Sequence, residues 1–289
     1  LLLEHEEDLR EVLASITRRA AFHSEDEARL RERKSVRVGN DPSSHPLWRD
    51  AEAARLSTER LLRLARAAGK RIHLLHGSTA EEIPLLAANK DIASLEVTPH
   101  HLTLSSPEAY ARLGTRAQMN PPIRDAHHHD ALWRALAEGV VDVLGSDHAP
   151  HALEEKSRPY PHSPSGMPGV QTLVPVMLDH LSKGRLGIER LVDLTSHGPA
   201  RLFQIAGKGR IAVGFDADFT IVDLKAKRTI TDDWIESRCR WTPYDGMEVQ
   251  GWPVGTVIRG DVVMWQGQIG AQPSGRPLRF SDMSYDMCK

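Results

Sequence analysis

The first two thirds of the chain alternate between helical and strand patterns. Four units are predicted, each a helix followed by a short buried strand: 6–19 with 20–22, 48–68 with 72–75, 80–89 with 92–97, and 126–138 with 140–144. A further helix is predicted over 170–181. Helices that alternate with short apolar strands are typical of parallel βα units, so the pattern predicts an α/β fold.

The number of units bears on the architecture. A closed (β/α)8 barrel has eight helix–strand units and usually needs ~250 residues. Here only four such units are predicted before the pattern changes to short β-rich pieces near Gly207. Either half of a barrel is missing or the sheet is open. The chain opens on Leu1 and its first methionine is Met119. We therefore expect the carboxyl-terminal half of a TIM-type barrel, without its amino-terminal half.

The last third of the chain has a different pattern. Short β-rich pieces at 219–222, 256–259 and 262–266 are separated by Gly and Pro turns. Residues 271–289 are rich in Pro, Gly and Ser and are predicted to form a tail. The predicted organisation is a partial barrel domain over 1–206 and a small β-rich appendage with a tail over 207–289.

Composition narrows the class of protein. The chain has 37 Lys and Arg against 39 Asp and Glu, a net charge of −2, so no basic excess favours nucleic acid as a partner. Its apolar runs are far shorter than the ~20 residues that span a bilayer, so no membrane association is expected. The two cysteines, Cys239 and Cys288, form no Cys-x-x-Cys pattern, and we expect a cytoplasmic protein without disulfides.

Histidine is abundant, with 15 residues, and several stand where strands end. His23, His76 and Asp147 each follow a predicted strand, and the carboxyl ends of parallel strands meet at one edge of a sheet. Two imidazoles and a carboxylate suit zinc, and three protein ligands with one open position are typical of a catalytic site. The alternative is that each histidine is a hydrogen-bonded residue at a strand end. Strand periodicity places His73 on the face opposite His76, and we chose His76 because it lies at the strand end.

Three loops are candidates for ligand binding. Residues 145–151 place Asp147 and His151 around one bend, although Asp147 could simply cap the next segment. Two prolines after Asn120 fix an extended loop that could present its amide to a carboxylate or imide, or form an ordinary Asn-Pro turn. Ser165 and Gly166 lie in a loop whose glycines allow close backbone approach to a ligand, or serve as a plain connection.

The run of three histidines at 127–129 is interpreted differently. It follows Asp125 at the start of an amphipathic helix, where successive side chains fan out around the axis. We interpret it as a solvated helix start rather than a metal-binding tract.

Five short sequence motifs resemble motifs of the dihydroorotases of the amidohydrolase superfamily, and they occur in the same order as in that family. They are FHSEDE at 22–27, LHGST at 75–79, EVTPHH at 96–101, NPPIR at 120–124 and DHAPH at 147–151. The resemblance covers nearly the whole chain, including 208–211 and 214–218. Allantoinases and dihydropyrimidinases share the architecture, but their motifs corresponding to NPPIR and DHAPH usually differ.

The resemblance implies a (β/α)8 metal-dependent hydrolase with two zinc ions. Its reaction would be the reversible hydrolysis of dihydroorotate to N-carbamoyl-L-aspartate in pyrimidine synthesis. By match, His23 and His76 would hold one zinc, while Asp147 would hold the other and shuttle the proton. Asn120 and His151 would bind the substrate, and Ser165 and Gly166 would supply backbone contacts.

The sequence departs from the family in one respect. The family's first-strand His-x-His pair and its bridging Lys or Asp have no counterpart here, so we expect weak metal binding and no turnover by this chain alone. One alternative is a cyclic amidohydrolase acting on hydantoin or allantoin-like rings. Another is a non-catalytic scaffold for aspartate carbamoyltransferase. A homo-oligomer is expected, with aspartate carbamoyltransferase as a candidate partner.

Overall fold

The computed structural model describes residues 3, 5–270, 272 and 275–281. Its strands are β1 (Ala20–Phe22), β2 (Ile72–Leu74), β3 (Ala93–Val97), β4 (Val143–Leu144), β5 (Phe219–Thr229), β6 (Glu248–Ile258), β7 (Asp261–Trp265) and β8 (Gln268–Ile269). Its α-helices are α1 (Glu6–Ser15), α2 (Glu27–Glu32), α3 (His45–Trp48), α4 (Ala51–Ala67), α5 (Glu82–Ala87), α6 (Pro99–Thr103), α7 (Glu108–Leu113), α8 (Ala126–Ala137), α9 (Leu153–Lys156), α10 (Leu173–Ser182), α11 (Ile188–Val192) and α12 (Gly198–Leu202).

The first four strands form a parallel sheet in the order β1-β2-β3-β4. Phe22 pairs with Leu74, Leu74 with Leu95, and Val97 with Leu144, so the carboxyl ends of the strands lie along one edge. The α/β class and the parallel sheet are therefore confirmed. Closure of this sheet into a barrel stays a prediction.

The helices begin and end where local chemistry dictates. Asp50 caps α4 by accepting a hydrogen bond from the Ala53 amide, and Gly69, at φ 63°, follows its end. Asp125 caps α8 in the same way by accepting from the His127 amide. The predicted helix at 6–19 ends earlier, at Ser15, because Arg19 is drawn into the sheet, where its guanidinium donates to the carbonyl oxygen of Ile72 at 2.7 Å.

The chain divides into two compact units. The first comprises the described residues up to 173 together with 230–246, and the second comprises 174–229 with the described residues from 247 onward. The boundary predicted after residue 206 falls inside the second unit. Residues 230–246 carry no helical or strand periodicity, so no pattern separates them from their β-rich neighbours.

Segment 230–246 is held in the first unit by two fully buried aromatic residues. The Trp241 indole N–H donates to the carbonyl oxygen of His151 at 2.8 Å. The Tyr244 hydroxyl lies 2.8 Å from Nδ1 of His100 and stacks on its ring. The segment thereby supports the loop that carries His151.

The second unit contains an antiparallel sheet in the order β5-β6-β7-β8. The three predicted β pieces overlap its strands, with 259 and 266 just beyond the ends of β6 and β7, and β5 and β6 run 11 residues each, longer than predicted. Of the predicted tail, residues 271, 273, 274 and 282–289 lie outside the described residues, and Phe280 pairs with Ile205. Among the residues that the structure describes, no helix combines the length and apolar character needed to cross a membrane.

Candidate metal and substrate site

His23 and His76 meet at the carboxyl edge of the parallel sheet. His23 directly follows β1, and His76 lies two residues beyond β2. Nδ1 of His23 is 3.2 Å from Nε2 of His76, and the rings pack edge to face with centroids 4.9 Å apart. The structure therefore brings together two side chains that are 53 residues apart in sequence.

A buried carboxylate fixes the orientation of the His23 ring. Oε2 of Glu25 lies 2.9 Å from Nε2 of His23, and Arg49 binds the same carboxylate, with Nη2 at 2.6 Å. Burial raises the pKa of Glu25, but the Arg49 charge and the hydrogen bonds from His23 and Arg49 outweigh it and hold the pKa far below its usual value. Because an ionised carboxylate only accepts, Nε2 of His23 carries the proton and its Nδ1 lone pair faces His76.

His76 is held neutral in a strained backbone conformation. Burial lowers the pKa of His76 to about 4, and the charge of His23 acts in the same direction. Its Nδ1 is buried and has no hydrogen-bond partner within the described part of the chain, and its φ of 34° lies in the left-handed region that non-glycine residues rarely occupy. Such strain is concentrated at functional sites and costs about 1–3 kcal/mol.

Asp147 lies near the histidine pair, beside a carboxylate that the sequence did not single out. Burial raises the pKa of Asp147, the charge of Glu96 raises it further, and His23 acts in the opposite direction. Glu96 lies in β3, and its carboxylate accepts from the backbone amide of His76 at 3.4 Å. Asp147 also has a positive φ, of 41°.

The histidine pair fits a zinc ion in its donor chemistry. Two imidazole nitrogens face each other, and the Glu25 carboxylate fixes one ring, an arrangement typical of zinc ligands. Among the described residues, Asp147 does not join both imidazoles in a group whose donor atoms all lie within 4.8 Å of one another. The roles of His23, His76 and Asp147 as ligands stay predictions.

A different group of residues meets that distance criterion. One donor atom each from Glu81, His127 and His128 lies within 4.8 Å of the others. The sequence interpretation set His127 and His128 aside as a solvated helix start, and His127 is indeed exposed. Nδ1 of His128 already accepts from the backbone amide of Ala80 at 3.0 Å, and α8 presents the positive end of its dipole here. Both features oppose a cation at this group.

The structure brings together three of the predicted substrate-binding residues. Nε2 of His151 donates to the carbonyl oxygen of Ser165 at 3.2 Å. Gly166 has a φ of 141°, and a Cβ there would lie 2.6 Å from the carbonyl oxygen of Ala149. Only glycine therefore allows the 165–166 loop to lie against the 149–151 loop.

Lys156 joins this loop to the one that carries Asn120. Its Nζ donates to the carbonyl oxygens of Gln118 at 3.0 Å and Pro164 at 2.7 Å. The Gly166 amide donates to the same Gln118 oxygen at 2.9 Å. Lys156 is 1% exposed, and burial lowers its pKa to about 7. Asn120, the fourth predicted residue, is thereby tied to the Ser165–Gly166 loop.

Sequence reasoning missed Glu25, Glu96 and Lys156. A signal existed for the two carboxylates: Glu25 follows His23 by two residues, and Glu96 places a charge in a strand predicted to be buried, where an unpaired charge is rare. Lys156 had no signal, because a lysine in a polar stretch is normally exposed.

The chain is similar to several characterised proteins. It is 39% identical to the dihydroorotase of Halobacterium salinarum over 257 residues, covering 89% of this chain and 59% of the relative. It is 36% identical to the dihydroorotase of Methanosarcina mazei over 287 residues, covering 93% of this chain and 62% of the relative. The chain thus spans about three fifths of the length of these curated relatives.

Solved structures and a family model complete the comparison. The L-hydantoinase (dihydropyrimidinase) of Arthrobacter aurescens matches with a TM-score of 0.89 and 30% identity, covering 92% of this chain and 62% of that chain. A dihydropyrimidinase from Brevibacillus agri matches with a TM-score of 0.86 and 26% identity, covering 93% and 62%. The model of the Amidohydrolase family matches residues 4–263. Since that match covers most of the sequence, the chain belongs to the Amidohydrolase family.

Proposed function

We propose that the protein is a zinc-dependent cyclic amide hydrolase that interconverts dihydroorotate and N-carbamoyl-L-aspartate. The observation that carries the proposal is the contact between His23 and His76, in which two imidazoles meet at the carboxyl edge of a parallel sheet. Similarity to dihydroorotases supports this substrate. Two zinc ions, a homo-oligomer, an aspartate carbamoyltransferase partner and a cytoplasmic location stay predictions.

His23 and His76 would hold one zinc ion and Asp147 would hold the other. Zinc supplies Lewis acidity, which polarises an amide carbonyl, and it lowers the pKa of water enough to provide a nucleophile near neutral pH. The protein fixes the ligands through Glu25, which holds the proton of His23 on Nε2 and leaves Nδ1 available.

Asp147 would move the proton. An ionised carboxylate accepts a proton when water attacks the ring carbonyl carbon, and the acid formed donates it to the departing ring nitrogen. Burial and the Glu96 charge both favour the protonated form of Asp147, because both raise its pKa. The carboxyl group can therefore hold the proton between the two steps.

His151, Asn120 and the loop of Ser165 and Gly166 would bind the substrate. His151 donates one ring N–H to the Ser165 carbonyl oxygen, which fixes the imidazole and leaves its Nδ1 side toward Glu155 at 3.7 Å. Lys156 keeps the two loops in register through Gln118 and Pro164.

The test is hydrolysis by protein produced from the complete reading frame. We expect a larger kcat/KM for dihydroorotate than for hydantoin, and Asp147→Asn should lower kcat by about 10²–10⁴-fold while circular dichroism stays unchanged. Activity of Asp147→Asn equal to that of the wild type would refute the assigned proton transfer.

A second candidate function is hydrolysis of hydantoin-type rings. The structural match to the L-hydantoinase of Arthrobacter aurescens favours it. Faster turnover of hydantoin than of dihydroorotate in the same assay would select this candidate.

A further inference from the structure

His45 is a buried histidine that no sequence pattern marks. It opens α3 and is 1% exposed. Its Nε2 lies 3.1 Å from the carbonyl oxygen of Met119 and 2.9 Å from Oδ1 of Asn120. Its Nδ1 lies 3.4 Å from the hydroxyl of Tyr160. Both ring nitrogens of His45 therefore have partners. Asn120, one of these partners, lies 75 residues later in the sequence.

These contacts determine which atom of the Asn120 amide faces His45. A backbone carbonyl oxygen can only accept, so the contact with Met119 places the ring proton on Nε2 of His45. The Asn120 atom that shares this proton must then also accept, and in a carboxamide only Oδ1 does so. The amide nitrogen Nδ2 consequently points away from His45.

The other ring nitrogen completes the arrangement. Burial and the charge of Arg49 together lower the pKa of His45 to about 4, so the ring is neutral near pH 7. With the proton on Nε2, Nδ1 is an acceptor for the Tyr160 hydroxyl. A reversed tautomer would leave Nε2 without a proton, so it would lose the bond to the Met119 carbonyl oxygen and place two acceptors, Nε2 and Oδ1 of Asn120, against each other.

The loop that carries Asn120 contacts His101, whose ring is close enough to His76 to be affected by its charge. His101 donates from Nε2 to the carbonyl oxygen of Pro121 at 3.1 Å, and the charge of His76 contributes to the lowered pKa of His101. Asn120 is half-buried, and among the described residues its Nδ2 has no protein acceptor. Two N–H groups are thus available to an oxygen acceptor in the site.

We propose that His45 is a positioning residue: it orients the Asn120 carboxamide so that its NH₂ group binds a substrate carboxylate. This inference rests on the proposed function, because it specifies how that site would select a ring that carries a carboxylate. A carboxylate offers only acceptors, so the orientation of the amide decides between attraction and repulsion.

The tautomer of His45 is the first test, and it does not depend on activity. In ¹⁵N-histidine-labelled protein, the signal lost in His45→Gln assigns His45. We expect its ¹⁵N shifts to show a protonated Nε2 and an unprotonated Nδ1 near pH 7. The opposite tautomer would overturn the proposal whether or not the protein hydrolyses dihydroorotate.

Kinetics of protein from the complete reading frame are the second test. We expect His45→Phe, which removes the N–H, to raise KM for dihydroorotate about tenfold or more with little change in kcat. His45→Gln keeps an N–H donor and should recover most of the loss. The Ki of dihydrouracil, the same ring without the carboxylate, should change little in either variant.

Controls separate positioning from folding. His129→Phe removes a comparable histidine bond to the Leu102 carbonyl oxygen, at 2.8 Å, and should leave KM unchanged. If His45→Phe does not fold, Tyr160→Phe tests the same tautomer by NMR. Equal losses for dihydroorotate and dihydrouracil, or no rescue by glutamine, would contradict the proposal. Absence of wild-type dihydroorotase activity would refute the proposed function alone.

Discussion

At the scale of single residues, the site depends on one glutamate and one lysine. Neither contacts an atom that is predicted to bind the metal or the substrate. Glu25 sets the tautomer of His23, and Lys156 sets the distance between two loops. Both are buried charged groups, which are costly unless they are compensated. Glu25 is compensated by Arg49, whereas the partners of Lys156 among the described residues are two carbonyl oxygens, so the two residues should respond differently to substitution and pH.

Glu25→Gln should weaken zinc binding while preserving side-chain volume. The neutral amide no longer fixes the proton on Nε2 of His23, and loss of such a partner typically costs 10–100-fold in metal affinity. Zinc affinity measured by competition with a chelator checks this. Glu81→Gln is the matched control, because Glu81 contacts His128 instead. A loss of affinity in the control and not in Glu25→Gln would place the zinc at the Glu81 group.

Lys156→Met should change the pH dependence of stability. Burial lowers the folded pKa of Lys156 to about 7 from the ordinary lysine value of 10.5, so the unfolded chain binds more protons between these values. The wild type should therefore gain stability relative to Lys156→Met as pH rises from about 7 toward 10.5, by at most about 1.4 kcal/mol per pH unit. Below about pH 7 the difference between the two proteins should be constant.

Urea unfolding at several pH values measures this difference. Lys70→Met is a suitable control, because Nζ of Lys70 also donates to a carbonyl oxygen, that of Ile16 at 2.8 Å, but at a half-buried position. A wild-type advantage that falls with rising pH would contradict the expected sign.

At the scale of elements, the sequence predicted most of the parallel sheet and little of what surrounds the site. Periodicity identified β1 to β4 because each follows an amphipathic helix, and strand ends then predicted His23 and His76. The loops that carry His151, Asn120 and Gly166 have no periodicity, so their mutual contacts through Lys156 could not be predicted. The contacts of His45 could not be predicted either, because its partners Met119 and Tyr160 are remote in sequence.

Gly166→Ala should destabilise the loop that carries Ser165. Its φ of 141° suits glycine alone, and a Cβ would lie 2.6 Å from the Ala149 carbonyl oxygen. Backbone strain of this kind costs about 1–3 kcal/mol, and the contact with a backbone atom adds to it. Gly39→Ala, with nothing within 4 Å of its Cβ, should change the free energy of unfolding by less than about 0.5 kcal/mol. Equal stability of the two variants would show that the loop relaxes freely.

At the scale of the whole molecule, chain order and compact units do not coincide. Residues 230–246 belong to the first unit, although the preceding residues 174–229 belong to the second. Trp241 and Tyr244 are fully buried in the first unit. A buried Trp contributes several kcal/mol to the free energy of unfolding, so this short segment contributes more to stability than its length suggests. The compact unit that carries the candidate site residues is therefore not a contiguous stretch of sequence.

A fragment of residues 1–206 should consequently be much less stable than the full chain. It lacks Trp241, whose indole supports the His151 loop, and it lacks Tyr244, the partner of His100. Urea unfolding followed by circular dichroism should show a lowered or non-cooperative transition. In the full chain, Trp241→Ala should cost about 3–5 kcal/mol. Trp265→Ala, at a position 50% exposed, should cost under about 1 kcal/mol. A fragment as stable as the full chain would show that 230–246 only covers a surface that is complete without it.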